Sequence, residues 1–204
     1  MVHRKQRTVA RLGLTVEVKS DNPALVADNF ADNFTTQVAL YVETARQWVV
    51  TVLAMPRATV QAELTKYFKD DSVATHTRVM TVLRQTQAGM GAPQKVKVQR
   101  LAGNATGLAS GGFWGAHRKR IYLNTSTVMK YGNNGLTNAG ARLYLHEATH
   151  SFAETNDYGD RGYLDEQGDN FLAAADPYRR VGLSARDALR NADSYAGFVS
   201  ELAG

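Results

Sequence analysis

Residues 146–150 read "HEATH", two histidines four positions apart with a glutamate directly after the first. On an α-helix, His146 and His150 stand one turn apart on the same face, so both imidazoles can reach a single metal ion. Glu147 follows the first of them, at an angle that lets its carboxylate address a water in an open coordination position. The chemistry that fits is hydrolysis. Zinc held by two histidines and a third ligand brings the pKa of such a water toward ~7, and a neighbouring glutamate takes its proton as general base.

Two histidines leave a third protein ligand to find. Glu154, Asp157 and Asp160 lie just downstream. No third histidine follows at the spacing of the H-E-x-x-H-x-x-G-x-x-H pattern. Glu166 is too close to serve as a ligand from a later helix, which leaves an aspartate. The remaining histidines, His3, His76 and His117, read as surface residues.

The motif needs a helix beneath it, and "ARLYL" at 141–145 supplies an apolar face that would bury one, with Thr137 or Asn138 as its cap. Upstream, "TVARLGLTVEVKS" at 7–19 alternates as one or two strands. Leu25, Phe30, Phe34, Val38, Tyr41 and Trp48 recur at helical spacings, predicting a helix over 24–54 capped by Asp21 or Asn22. Further helices are predicted over 58–69 and 73–88. The chain changes character after "GMGAPQ": "KVKVQRL" at 95–101 alternates as a strand, and "LASGGFWG" reads as a glycine-rich turn feeding a strand over 119–124. That strand is expected to form the edge of the cleft. Residues 130–138 read as a loop, and "SARDALRNADSYAGFVSELA" as a final helix capped by Ser184. The fold class is α+β, with a helical N-terminal half, a short sheet, the motif helix and a C-terminal helix.

The pieces around the motif resemble the deuterolysin family of zinc endopeptidases, the aspzincins, whose relatives include the peptidyl-Lys metalloendopeptidases. The residues that carry the likeness are "HEATH", "TND" at 155–157, "GY" at 162–163 and "NADSYAGF" at 191–198. It extends to "IYLN" at 121–124 and "KYFKDDSVATHTRVMTVL" at 66–83, spanning roughly residues 40–204. The resemblance implies a zincin-like fold holding one zinc ion per chain, with His146, His150 and Asp157 as ligands and Glu147 as general base. It implies that Tyr163 donates a hydroxyl to the tetrahedral intermediate, with Tyr158 a further candidate. Asp193 would orient a ligand. Two departures stand out. The family usually has glycine before the threonine, where this chain has Glu154. Its tyrosine commonly lies about three residues after the aspartate, and Tyr163 lies six after Asp157 but three after Asp160.

The expected activity is therefore a zinc-dependent endopeptidase acting on a peptide or protein. By length, 204 residues suit a single metallopeptidase domain, with 36–204 as the catalytic region and 1–35 a strand and helix extension. Hydrophobic content of 44% with 21% charged residues excludes disorder as the dominant state. The absence of cysteine excludes disulfide frameworks, thiolate catalysis and Cys-ligated zinc. A net charge of +5 without a recognition motif does not make a nucleic-acid binder. The longest apolar run, near 48–55, is too short to span a bilayer. "MVHRKQRTVARLGL" carries no signal peptide, so the compartment stays open. Two other classes fit the same motif. One is a delivered toxin or effector domain, whose partner would include an inhibitor or immunity protein. The other is a non-catalytic, zinc-stabilised binding domain, against which Glu147 argues. Asp165, Glu166 and Asp169 form an acidic run that would favour a lysine or arginine after the scissile bond.

Overall fold

A computed structural model of the chain describes residues 1–102, 105–110, 120–158, 162 and 182–204. Strands β1 (His3–Val9) and β2 (Leu14–Ser20) form an antiparallel hairpin, turned at Gly13, which adopts the left-handed conformation. Three helices follow: α1 (Asp28–Leu53), α2 (Gln61–Phe68) and α3 (Val73–Gly91). Strand β3 (Gln94–Gln99) then pairs parallel with β2, and β5 (Arg120–Asn124) parallel with β3. Between them in sequence, β4 (Gly107–Ser110) folds back antiparallel on β5. The mixed sheet runs β1-β2-β3-β5-β4. Helices α4 (Thr125–Asn133), α5 (Thr137–Ala153), α6 (Ala185–Ala188) and α7 (Ala192–Ala203) complete the described chain.

The strand alternation puts Leu14, Val16, Val18, Val96, Val98, Ile121 and Leu123 on one face of the sheet, all fully buried. The helices cover that face. Helix α1 presents Phe34, Val38, Tyr41, Val42, Trp48 and Val49 to the core and packs against both α5 and α7. Charged pairs fasten β1 to α1: Arg7 bonds Asp28 and Asp32, and Lys5 stands 3.0 Å from Asp28. Helix α5, which carries the histidines, lies in the middle of this arrangement. It packs against α1, α3, α7, β4 and β5, and its Tyr144 hydroxyl donates to Gln94 at the start of β3 over 2.5 Å. The two long helices approach closely at Gly140. A β-carbon there would lie 2.5 Å from Tyr41 Cδ1 and closer still to other ring atoms.

Five expectations change. Residues 125–133 are helical, because Asn124 caps them through its side chain (accepting from Ser126 N), so only 134–136 of the predicted 130–138 loop are irregular. Helix α5 starts at Thr137 with Leu136 at the cap position and no side-chain cap bond. The final helix is broken at 189–191, leaving Ser184 to cap only the short α6. Most relevant to the site, the strand at 120–124 is not the edge of the sheet, since part of the glycine-rich stretch forms β4 outside it. The two N-terminal strands belong to the same sheet as β3. Asn22 caps a short 3-10 turn (Pro23–Val26), and α1 proper begins only at Asp28. Among the described residues no helix is long and apolar enough to cross a membrane.

Because the buried Tyr41 ring cannot swing aside, Gly140→Ala should force α1 and α5 apart. The expected cost is about 1–3 kcal/mol of overpacking, read as a lower urea midpoint at unchanged slope. An unchanged midpoint would mean that the helices do not meet at this position.

Candidate metal centre

Helix α5 buries His146 and Glu147, and the chain must reverse at its end to bring a third group back to them. The reversal happens at Glu154, whose φ of 56° and ψ of 36° place it in the left-handed region as its N–H returns to Thr149 O. That is the conformation a helix end usually assigns to glycine. In this chain a glutamate bears the backbone strain.

The returning strand of residues 155–157 is then held from the other side. Asn156 N–H donates to Arg190 O over 2.6 Å, and Ala192 N–H donates to Asn156 O over 3.0 Å. The Asn191 amide donates to Gly162 O and to Ser194 Oγ. The break between α6 and α7 thus serves as a clamp on the segment that carries Asp157.

Three atoms converge as a result. His146 Nε2 and His150 Nε2 are 3.2 Å apart, and Asp157 Oδ1 lies 3.2 Å from the first and 3.1 Å from the second. Their other contacts determine which protons they carry. His150 Nδ1 lies 2.8 Å from Thr155 O, a carbonyl that can only accept, so the proton sits on Nδ1 and Nε2 offers a lone pair. His146 Nδ1 faces Asp193 Oδ1 at 3.5 Å, which favours the same tautomer. Asp193 in turn stands 3.4 Å from Arg142, one turn before His146 on α5. Thr149 adds a further tie, bonding His146 O and, at 2.9 Å, Thr155 Oγ1.

Two imidazole lone pairs and a carboxylate oxygen aimed at one another repel unless something positive lies between them. In the metal-free chain that is a proton. Burial alone would push the His146 imidazole down, but its bonds to Asp157 and Asp193 and the charge of Glu147 outweigh burial and raise it from 6.5 to about 10. The same pairing with His146 and His150 holds Asp157 far below the usual carboxylate range. The donor set also fits zinc. Ligands about 2.0–2.1 Å from a tetrahedral ion stand roughly 3.3 Å from one another, close to the spacing found. His146, His150 and Asp157 could therefore hold one metal ion. The negative end of the α5 dipole favours a cation there.

Glu147 is 4% exposed. Burial raises its carboxyl to about 7, against the downward pull of His146 and His150. Tyr158 is half-buried against the hydrophobic core. Tyr163, Asp160, Asp165, Glu166, Asp169 and His117 lie outside the described residues. His76, expected at the surface, is half-buried on α3, with its Nε2 buried and unbonded among the described residues. Sequence reasoning quoted Thr155 without giving it a role, and missed Arg142 and the Asn156–Asn191 bridge. Only Arg142 carried a signal, four residues before His146 on the same helix face.

No protein-family model and no curated protein matches the chain. Among solved structures, its fold is similar to that of the zinc peptidase from Grifola frondosa, with a TM-score of 0.57 and 16% identity over 81% of this chain and 93% of that one. The chain has the α+β fold of a zinc peptidase, and of the three donors that could hold a metal His146 and His150 sit on the helix bearing its H-E-x-x-H motif and Asp157 just beyond it.

The pKa shifts set the pH response. His146 stabilises the metal-free fold fully below 6.5, and this is lost as pH rises through about 10. Glu147 acts in the same direction between 4.5 and about 7, since its protonated form is the one that tolerates burial. Asp157 contributes above its unfolded value near 3.8 and loses this in stronger acid. Zinc must displace the His146 proton, so the melting temperature of zinc-loaded protein should rise above that of chelated protein by a margin that widens from pH 5.5 to 8. One displaced proton is worth about 1.4 kcal/mol per pH unit, or ~3–5 °C per unit in a domain this size. A constant margin would mean that no site proton is exchanged for the metal.

Proposed function

We propose that the chain is a zinc-dependent endopeptidase in which His146, His150 and Asp157 hold the metal and Glu147 is the general base. The observation that carries this reading is the pairing of the three converging donors with a buried carboxylate on the same helix, close enough to feel all three charges. A purely structural zinc site has no use for such a carboxylate, because its coordination is closed by protein ligands. A zinc ion held there supplies Lewis-acid polarisation of water and of the scissile carbonyl.

The chain's own residues do the rest. Strand β4 is last in the sheet, so its outer edge can take an extended peptide by strand addition. Gly107, at the start of β4, lies over Glu147, which brings a peptide paired there across the base. Glu147 takes a proton from the attacking water as its oxygen bonds to the carbonyl carbon. It then passes that proton to the departing amide nitrogen. Burial disfavours its charged form and so strengthens it as a proton acceptor. Thr155 O and Asp193 keep the two imidazoles in the tautomer that presents Nε2 to the metal. In this reading Tyr163 supplies the hydroxyl for the tetrahedral intermediate, as the family resemblance implies.

Glu147→Gln keeps the shape and removes the base. The variant should bind one zinc per chain as the wild type does and should lose about 10²–10⁴-fold in casein hydrolysis. Equal hydrolysis by the two proteins, or none by zinc-loaded wild type, would overturn the reading.

A further inference from the structure

Gly107 occupies a place where a glycine is unexpected. It opens an edge strand, opposite Leu123 of β5, where glycine is disfavoured because it packs nothing across the pair. Its backbone does not explain the choice. Among the described residues the glycines in the left-handed region are Gly13 and Gly135, and Gly107 is not one of them. What explains it is space. A β-carbon on Gly107 would come within 2.9 Å of both Cγ and Cδ of Glu147, and closer still to Oε1. All three nearest atoms belong to one side chain, that of the proposed base.

The height of β4 above α5 is fixed independently. Asn124, at the end of β5, donates its main-chain N–H to Thr106 O over 2.9 Å and its side-chain amide to Ala105 O over 2.7 Å. Its Oδ1 is engaged at the N-terminus of α4, accepting from Ser126 N and Oγ. The residues leading into Gly107 are therefore tied to the sheet and to a helix at once. Strand β4 is not free to lift away from a larger side chain.

We propose that Gly107 is a positioning residue: its missing side chain leaves the Glu147 carboxylate its working place beside the two histidines, with Asn124 holding the strand at the distance this requires. Any added atom at 107 meets two fixed partners, the anchored strand and helix α5, and one movable one, the Glu147 side chain. The carboxylate gives way. The displacement leaves the fold and the three metal donors in place and takes the base out of line. The catalytic consequence rests on the peptidase reading; the steric contact between Gly107 and Glu147 does not.

Two readouts separate these. The first is a melting cycle on Gly107→Ala, Glu147→Ala and the double variant, with Gly91→Ala as control, since a β-carbon at Gly91 meets nothing within 4 Å. Gly107→Ala should lower Tm by about 2–8 °C when Glu147 is present. In the Glu147→Ala background, where the three clashing atoms are gone, it should change Tm by about 1 °C or less. The second readout is kinetic. Gly107→Ala should retain one zinc and a KM within about twofold, while kcat falls at least ~10-fold. An equal Tm loss in both backgrounds would overturn the contact. A Tm loss confined to the Glu147 background with unchanged kcat would overturn the positioning role. Inactive wild-type protein would remove the peptidase reading, and the melting cycle would then decide the contact alone.

Discussion

Three electron-pair donors aimed at one point are the constraint around which this chain is arranged. Left to themselves, the lone pairs of His146 and His150 and the Asp157 carboxylate would move apart, and side chains at a helix end have the freedom to do so. They are held together by contacts on their far sides. Thr155 O fixes one imidazole, Asp193 faces the other, and the Asn156–Asn191 bridge prevents the aspartate from withdrawing. A proton on His146 relieves the repulsion in the metal-free chain, and the same three donors could hold a metal ion.

Much of the remaining structure follows from that. Helix α5 has to be immobile, so it is surrounded by α1, α3, α7 and the sheet and approaches α1 through a glycine. The chain has to reverse within four residues of His150, so Glu154 accepts a left-handed backbone. The C-terminal segment has to return to the site, so its helix is interrupted at 189–191 to expose the backbone groups that pair with Asn156. The Glu147 carboxyl is buried beside β4, and that burial raises its pKa.

The local patterns in the sequence were sufficient for the elements that pack through regular periodicity. The 3.6-residue spacing of Phe34, Val38, Tyr41 and Trp48 and the alternation in "KVKVQ" translate directly into α1 and β3, because each buries one face. The histidine pair was legible for the same reason, being four residues apart on a helix with an apolar face. Features set by distant partners were not legible. The residues around β4 carry no alternation strong enough to mark a strand, and β4 exists because β5 offers an open edge. Nothing local marks Thr155 O as an acceptor for His150, since any carbonyl has the same chemistry. The break after Leu189 becomes intelligible only once Asn156 is beside it. Asp157 was reached through family likeness, and its geometry now rests on contacts of its own.

The account depends most directly on a metal ion bound by these side chains, and X-ray absorption at the zinc edge reads that environment without reference to catalysis. Protein loaded with one equivalent of zinc should show a four-coordinate first shell at about 2.0–2.1 Å, with the outer-shell signature of two imidazole rings and the remaining positions filled by oxygen. Substituting His150 with alanine should remove one ring from the signal. A shell of oxygens alone, or a two-imidazole signature that survives the loss of His150, would place the metal elsewhere and contradict the account.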